Sequence, residues 1–233
     1  MANQSLDGLR VAILAMDGFE QVELTQPRKA LRGAGAHTEV ISLRPGKIQG
    51  INLLWPGKKE KVDRLIFDSS PADYDALLIP GGFINPDFLR QSEHILNFVR
   101  EFDRMGKPIA TLCHGPWVLV SAGLARGRRL ASWSGIKDDI TNAGGVYVDQ
   151  SVVKDGNWLS SRDPHDLVPF CEEIIAHFSP AMTAREHVHA YPVSKSMALK
   201  AVEVGVGALA LAVIAGSVLS GRQGTSPRTN SPP

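Results

Sequence analysis

The residue in this chain best suited to covalent chemistry is Cys113. It follows a predicted strand at 107–112 and opens the sequence Cys-His-Gly-Pro, which predicts a tight turn between that strand and a helix. Such a turn should expose the thiol and aim it at a helix N-terminus, whose free amides favour thiolate over thiol. This is the geometry of a nucleophile elbow, and the competing interpretation is a cysteine packed in the core.

The second cysteine fits the core interpretation better. Cys171 lies beside Phe170 in a predicted helix that also contains Ile174. Free cysteine is among the most buried residue types and packs as a small apolar side chain. We therefore expect Cys171 to be structural.

Groups that could assist the Cys113 thiol lie at nearby turns. The backbone amide of His114 could stabilise an oxyanion, although the imidazole of an adjacent residue usually points away from its neighbour. Gly81 and Gly82 could bring a further amide close to the reacting atom, or could simply form a tight turn. Either Glu20 or Glu23 could lie against Cys113 in its protonated form, or both could be an ordinary acidic first turn of a helix.

These turns meet only if a parallel sheet brings them together. Apolar strand-like runs alternate with helix-like segments through residues 7–180, with Gly and Pro between them, which is typical of an α/β domain. Right-handed crossovers then give a doubly wound, mainly parallel sheet, which places ligands beyond the carboxyl ends of its strands. The main predicted elements are strands at 9–15, 37–43, 74–79 and 107–112, helices at 20–32, 87–105 and from Asp163 to about Phe178, a hairpin turn at Asp155-Gly156, and a solvated turn at Arg128-Arg129.

Five segments in register resemble the ThiJ/PfpI superfamily, and within it the PfpI-type intracellular cysteine protease and protein deglycase branch. The match covers about Arg10 to Phe178. The segments are Phe19–Leu24, Asp73–Gly82, Gly106–Pro116, Gly135–Gly144 and Val153–Pro164. The resemblance implies a flavodoxin-like fold of the class I glutamine amidotransferase type.

The resemblance also implies roles for individual residues. Cys113 matches the nucleophile and His114 its neighbour, while Glu23 matches the carboxyl hydrogen-bonded to the thiol and Glu20 lines the same pocket. Gly81, Gly82 and Gly115 match the oxyanion and substrate-binding turns. Asp87 matches, after one extra residue, a Glu that comes from an adjacent subunit in PfpI-like members, and Asp is shorter by one methylene.

The expected function is therefore thiolate addition to a carbonyl carbon, as in peptide hydrolysis, protein deglycation or glyoxalase-type detoxification of methylglyoxal under stress. The substrates would be small carbonyl compounds, peptides or glycated proteins, and the assembly a homo-oligomer. No metal or organic cofactor is expected. Two alternatives stay open: a redox-sensing or chaperone-like stress protein, and a membrane-tethered scaffold without catalysis.

Composition excludes several other classes. Hydrophobic residues are 43% and charged residues 21% of the 233 residues, close to a globular average and unlike a disordered chain. The 25 basic and 24 acidic residues leave a net charge of +1, so no broad basic field would hold a nucleic acid. Two cysteines make no disulfide framework and, with the absence of a secretory leader pattern, favour the cytoplasm.

The last part of the chain has a different character. We expect a linker at 181–203, an apolar helix at 204–220 and a disordered tail at 221–233. Residues 204–219 contain only Val, Gly, Ala, Leu, Ile and Ser, a run slightly shorter than the roughly 17–25 residues that span a bilayer. This segment could contact a membrane, dock as a helix on the domain or a partner, or do neither.

Overall fold

The computed structural model describes the backbone of residues 5–190 and the side chains of residues 5–181. The chain divides into two units, residues 1–186 and residues 187–233. The helices of the described residues are α1 (Gln21–Gly33), α2 (Asn85–Leu89), α3 (Glu93–Arg104), α4 (Pro116–Ser121), α5 (Lys137–Asn142) and α6 (Leu167–Ala190). The strands are β1 (Arg10–Leu14), β2 (Phe19–Glu20), β3 (His37–Ser42), β4 (Lys47–Asn52), β5 (Trp55–Lys61), β6 (Arg64–Leu65), β7 (Ala76–Ile79), β8 (Ile109–Leu112), β9 (Arg129–Leu130), β10 (Val146–Tyr147), β11 (Val152–Asp155) and β12 (Trp158–Ser161).

A seven-stranded sheet forms the centre of the domain, in the order β11, β12, β8, β7, β1, β3 and β6. Every neighbouring pair is parallel except the β11–β12 hairpin. The predicted flavodoxin-like, mainly parallel sheet is therefore confirmed. Strands β1, β7 and β8 lie side by side, so the turns that come after them share one edge of the sheet.

Apolar side chains cover both faces of this sheet, as burial on two sides requires. One core cluster includes Phe98, Phe102 and Leu119 from α3 and α4. The other includes Leu24 and Leu31 from α1 together with Phe170, Ile174 and Phe178 from α6. The strands between them are apolar on both faces, which explains their continuous apolar sequence.

A smaller sheet of β2, β4 and β5 lies beside the first helix. Strands β4 and β5 form an antiparallel hairpin, and β2 pairs in parallel with β4. The hairpin tip carries three consecutive exposed apolar residues, Leu53, Leu54 and Trp55. Residues 47–61 thus form a hairpin whose first strand pairs with β2.

Two helix predictions were wrong in their bounds. The segment 87–105 is divided into α2 and α3, because a turn at Arg90–Ser92 interrupts the helix before the amphipathic run of α3 begins. Helix α6 does not end near Phe178 but continues through Pro180 to Ala190. The residues after Pro180 are largely good helix formers, so residues 181–190 of the predicted linker are helical.

The predicted apolar helix at 204–220 and the predicted tail at 221–233 lie outside the described residues. Within residues 5–190, none of the helices is both long enough and apolar enough to cross a bilayer.

The two arginines expected at a solvated turn differ in their surroundings. Arg129 is exposed, whereas the Arg128 guanidinium lies 3.7 Å from the centroid of the Trp158 ring. Its Nε donates to Asp155 Oδ2 at 3.0 Å, and its Nη1 lies 3.5 Å from Asp103 Oδ1. Arg128 therefore joins the β11–β12 hairpin to the end of α3, and the prediction of a solvated residue was wrong for it.

Replacing Arg128 by Lys should destabilise the fold by about 1–3 kcal/mol, because Lys keeps the charge but loses the planar stacking and the forked hydrogen bonds. Chemical denaturation of Arg128→Lys and of Arg129→Lys measures this. The Arg129 variant should stay within about 0.5 kcal/mol of wild type. Equal stability of the two variants would contradict the conclusion that Arg128 joins the β11–β12 hairpin to α3.

Candidate active site

Cys113 lies where strand β8 ends and the turn into α4 begins. Its backbone has φ of 58°, a left-handed conformation that is strained for a residue with a side chain. Its N–H donates to Ser161 O at 3.1 Å, and its carbonyl accepts from Trp133 N at 2.9 Å. These bonds on both sides hold the strained residue in place, as expected for an elbow between a strand and a helix.

The expectation of an exposed thiol was wrong. Cys113 is only 6% exposed, because the Gly81–Gly82 turn and α1 pack against it. Burial raises the pKa of the thiol, and the charge of Glu23 raises it further. The sequence predicted that a helix N-terminus would lower the pKa of this thiol. The effect of burial is larger, and the helix that follows, α4, is only six residues long.

The side chain of His114 turns toward that of Cys113, one of the two arrangements that the sequence left open. Its Nδ1 lies 3.2 Å from Cys113 Sγ, within reach of a proton on sulfur. The imidazole packs between two indoles, with ring centroids 5.2 Å from Trp117 and 6.0 Å from Trp133. Burial lowers the pKa of His114, so the neutral imidazole, which can accept a proton, is favoured.

Glu23 is completely buried in the first turn of α1. Its Oε2 accepts from Gly81 N at 2.9 Å, while its Oε1 has no hydrogen-bond partner among the described residues. A β-carbon on Gly81 would lie 2.5 Å from Glu23 Oε2 and 2.6 Å from the β-carbon of Cys113. Only glycine therefore allows the carboxyl and the cysteine to approach from the two sides of this residue.

The carboxyl of Glu23 and the thiol of Cys113 form one coupled pair. Burial raises the pKa of Glu23 to about 8, so the group stays protonated at neutral pH. A protonated carboxyl removes the repulsion that raises the pKa of the thiol, and it can donate to sulfur. The pocket accordingly accommodates one negative charge but not two.

Two backbone amides act on the thiol. Hydrogen bonding from the N–H groups of Gly82 and His114 lowers the pKa of the Cys113 thiol. The amide of Gly81 is already bonded to Glu23. The Gly115 amide donates to Leu112 O at 2.9 Å, so it closes the turn and offers no donor to a substrate.

Glu20 lies at the other side of the same pocket and is also buried. Its Oε2 accepts from Leu53 N at 2.8 Å, which ties it to the tip of the β4–β5 hairpin. Burial raises the pKa of Glu20, and its charge contributes to raising that of Glu23. Glu20 therefore couples the hairpin tip to the charge of the pocket.

Asp87 lies on α2 and faces solvent. Its Oδ1 accepts from Arg90 Nε at 3.1 Å, and its Oδ2 accepts from Gln91 Nε2 at 3.2 Å. Among the described residues no hydrogen bond joins Asp87 to His114. The predicted contact between Asp87 and His114 of a neighbouring subunit stays a prediction.

Asn85 is a buried polar residue that sequence reasoning missed. It is completely buried between the ends of β1 and β7, and its side-chain amide makes three backbone hydrogen bonds. The available indication was an Asn shortly after a Pro-Gly-Gly turn, but nothing in the sequence showed that it would be buried.

No cluster of three or more His, Cys, Asp or Glu side chains suited to a metal ion occurs in the part of the chain that the structure describes. The polar groups of the pocket are instead a thiol, a carboxyl, an imidazole and backbone amides. This set is suited to proton transfer and to holding a negative oxygen.

Replacing Glu23 by Gln should make stability less sensitive to pH. The folded chain holds the Glu23 proton up to about pH 8, whereas an unfolded chain releases it near the ordinary value of 4.5. Raising the pH within this window therefore lowers the free energy of unfolding, by up to roughly 1.4 kcal/mol per pH unit from this group. Denaturation of both proteins at several pH values measures the difference, and identical pH slopes would contradict a protonated Glu23.

Curated relatives match the domain over nearly their whole length. A deglycase of Pyrococcus abyssi is 42% identical over 167 residues, which are 72% of this chain and 98% of that protein. The deglycase PfpI of Pyrococcus furiosus is 39% identical over 167 residues, with the same coverage. YraA of Bacillus subtilis, named as a candidate cysteine protease, is 40% identical over 165 residues, 70% of this chain and 95% of that protein.

Solved structures share the fold. A two-domain protein of Anabaena variabilis with DJ-1/ThiJ/PfpI-like and ferritin-like domains has a TM-score of 0.69 and 34% identity over 72% of this chain, which spans 47% of that protein. Drosophila melanogaster DJ-1beta has a TM-score of 0.67 and 24% identity, covering 76% of this chain and 97% of that one. The model of the DJ-1/PfpI family matches residues 9–177. These matches confirm the resemblance found in the five sequence segments, and the chain belongs to the DJ-1/PfpI family.

Proposed function

We propose that this protein is a cysteine-dependent enzyme in which Cys113 adds to a carbonyl carbon carried by a peptide or a glycated protein. The observation that carries the proposal is the set of groups around one sulfur atom: the imidazole of His114, the carboxyl of Glu23, and two amide N–H groups. A structural cysteine has no need of this set.

The first step is addition of the thiol across the carbonyl bond. The thiol proton passes to His114 Nδ1 as sulfur forms its bond to carbon, and the displaced electron pair moves onto the carbonyl oxygen. Protonation of that oxygen gives a tetrahedral adduct with no change of oxidation state. A general base of this kind contributes typically 10²–10⁴-fold to rate.

The same two amides can donate hydrogen bonds to the sulfur before the attack and to the carbonyl oxygen during it. The N–H groups of Gly82 and His114 donate to the sulfur in the free enzyme. Once sulfur has given an electron pair to carbon it is a weaker acceptor, so these donors are free to hold the developing oxyanion. Removing one such donor typically costs 10²–10³-fold in turnover.

The relatives support this chemistry at the level of the family. Relatives named as deglycases and as a candidate cysteine protease match the whole domain at about 40% identity. Peptide hydrolysis, deglycation and methylglyoxal conversion can all begin with attack of sulfur on a carbonyl carbon, and they differ in their later steps. The choice among them therefore depends on the substrate, and the side chains beside the pocket bear on its size.

Three exposed apolar side chains each adjoin a different pocket residue, and we assign them to the rim of the pocket. Leu53 bonds Glu20 through its amide, Phe83 comes directly after Gly82, and Trp133 bonds Cys113 and packs on His114. They are 73%, 44% and 41% exposed. A three-carbon carbonyl compound would leave such a rim unused, whereas a peptide could cover it. We therefore favour a carbonyl borne on a polypeptide over free methylglyoxal.

Two expectations from the sequence stay predictions. One is a homo-oligomer in which Asp87 of one copy reaches His114 of another, and the other is location in the cytoplasm. The redox-sensing alternative rests on the Cys113 thiol, and the membrane-scaffold alternative rests on the apolar segment at 204–220. They become the preferred interpretations if no substrate is turned over.

Replacing Cys113 by Ala should abolish turnover of a glycated peptide, a fluorogenic peptide and methylglyoxal, because the variant lacks the thiol that attacks the carbonyl carbon. A loss of at least roughly 10³-fold is expected. Cys171→Ala is the matched control, since burial raises the pKa of that half-buried thiol to about 11 and it lies in α6. Equal turnover by the two variants would eliminate the proposed function.

Replacing Phe83 by Ala should raise KM for a glycated peptide about tenfold more than KM for methylglyoxal, because only the peptide can bury the lost apolar surface. Val168→Ala is the control, since Val168 is an exposed apolar residue on α6. Steady-state kinetics with both substrates measures the effect. Equal effects on the two substrates would favour a small carbonyl compound as the substrate.

A further inference from the structure

We propose that Asn85 is a positioning residue, which holds the Gly81–Gly82 turn in place against Glu23 and Cys113. The inference rests on the proposed function, in which Cys113 is the reacting group. Asn85 itself does not touch the sulfur, and it acts through the backbone of the turn.

The contacts of Asn85 join two strands at the edge where the pocket lies. Its Oδ1 accepts from Met16 N at 2.7 Å, just beyond the end of β1. Its Nδ2 donates to Pro80 O at 2.8 Å and to Gly81 O at 3.1 Å, just beyond the end of β7. A single buried amide thus fixes the distance between β1 and the Pro-Gly-Gly turn.

The turn interacts with both Glu23 and Cys113, so a constraint on the turn affects both residues. Gly81 donates to Glu23 Oε2 at 2.9 Å, and Gly82 donates to Cys113 Sγ. Gly82 has φ of 81°, a conformation that few other residues adopt and that the turn must be held to keep. The Gly81 carbonyl and the Gly82 N–H belong to the same planar peptide unit, so a shift of that carbonyl would turn the Gly82 N–H as well.

The chemistry of the contacts explains why the side chain is an amide. The site requires one acceptor toward Met16 N and two donors toward carbonyl oxygens, and only a carboxamide supplies both. Aspartate has the same shape and keeps the acceptor. When ionised, however, it offers no donor and places negative charge against the carbonyls of Pro80 and Gly81. A protonated aspartic acid restores one donor.

This difference gives a test that depends on pH. The rate of alkylation of Cys113 by iodoacetamide would be measured between about pH 5.5 and pH 9. All proteins carry Cys171→Ala, so that the measured alkylation is that of Cys113. The proteins are the otherwise unchanged chain, Asn85→Asp, Asn85→Ala, and Asn142→Asp. Asn142 is exposed at the end of α5, which makes it the matched control for an Asn-to-Asp change.

The expected result concerns the ratio of each variant's rate to that of the unchanged chain at the same pH. This ratio removes the pH dependence that the variant and the unchanged chain share. Asn85→Asp should react about tenfold or more slowly at high pH, because the thiolate loses a donor, and the deficit should shrink as the pH falls and the introduced carboxylate is protonated. Asn85→Ala should show a deficit that does not change with pH, and Asn142→Asp none.

Circular dichroism and thermal melting of each variant establish that it is folded under the conditions of the assay. Folded Asn85→Asp and Asn85→Ala that react at the unchanged rate throughout would overturn the proposal. A deficit of Asn85→Asp that is the same at every pH would also overturn it. Such a deficit would indicate a general loosening of the fold, which does not depend on protonation of the introduced carboxylate. If Asn85→Asp does not fold, the alkylation rate of folded Asn85→Ala is the test. A reduced rate supports the proposal, and an unchanged rate overturns it. Failure of the proposed function would appear separately, as absence of turnover in a chain whose Cys113 alkylates normally.

Discussion

The site depends on one electrostatic constraint: a carboxyl and a thiol are buried side by side in a pocket that can hold only one negative charge. Glu23 is completely buried and Cys113 nearly so. Ionising both would place two anions in a poorly solvated space, and burial accordingly moves the pKa of Glu23 to about 8. The surrounding amides and the neutral imidazole of His114 can stabilise a single negative charge that develops on the sulfur or on a carbonyl oxygen during the attack.

The architecture supplies this pocket mainly from backbone. Strands β1, β7 and β8 are adjacent and parallel, so the turns after them converge without any long side chain reaching across. Gly81 lets Glu23 and Cys113 approach from opposite sides, and the strained backbone of Cys113 is held by Ser161 and Trp133. Loss of any of these contacts would move the reacting atom rather than remove it, which makes positioning residues as important as the nucleophile.

Much of this was predictable from sequence, because periodicity and turn residues determine it. The alternation of apolar runs with Gly and Pro predicted the parallel sheet, and the Cys-His-Gly-Pro turn predicted the elbow. The burial of Cys113 and the approach of His114 to its sulfur were not predictable, since both depend on how α1 and the Gly81–Gly82 turn pack in three dimensions. For the same reason Asn85 and Arg128 looked like ordinary loop residues, although each joins segments far apart in the chain.

The protonation state of Glu23 at neutral pH is the most direct measure of the central constraint. Infrared difference spectroscopy between the natural chain and Glu23→Gln isolates the vibration of this one carboxyl. The account predicts a protonated carboxyl band at pH 7 that gives way to a carboxylate band only near pH 8. A carboxylate band already present at pH 6 would show that the pocket carries its charge on Glu23 and would contradict the account.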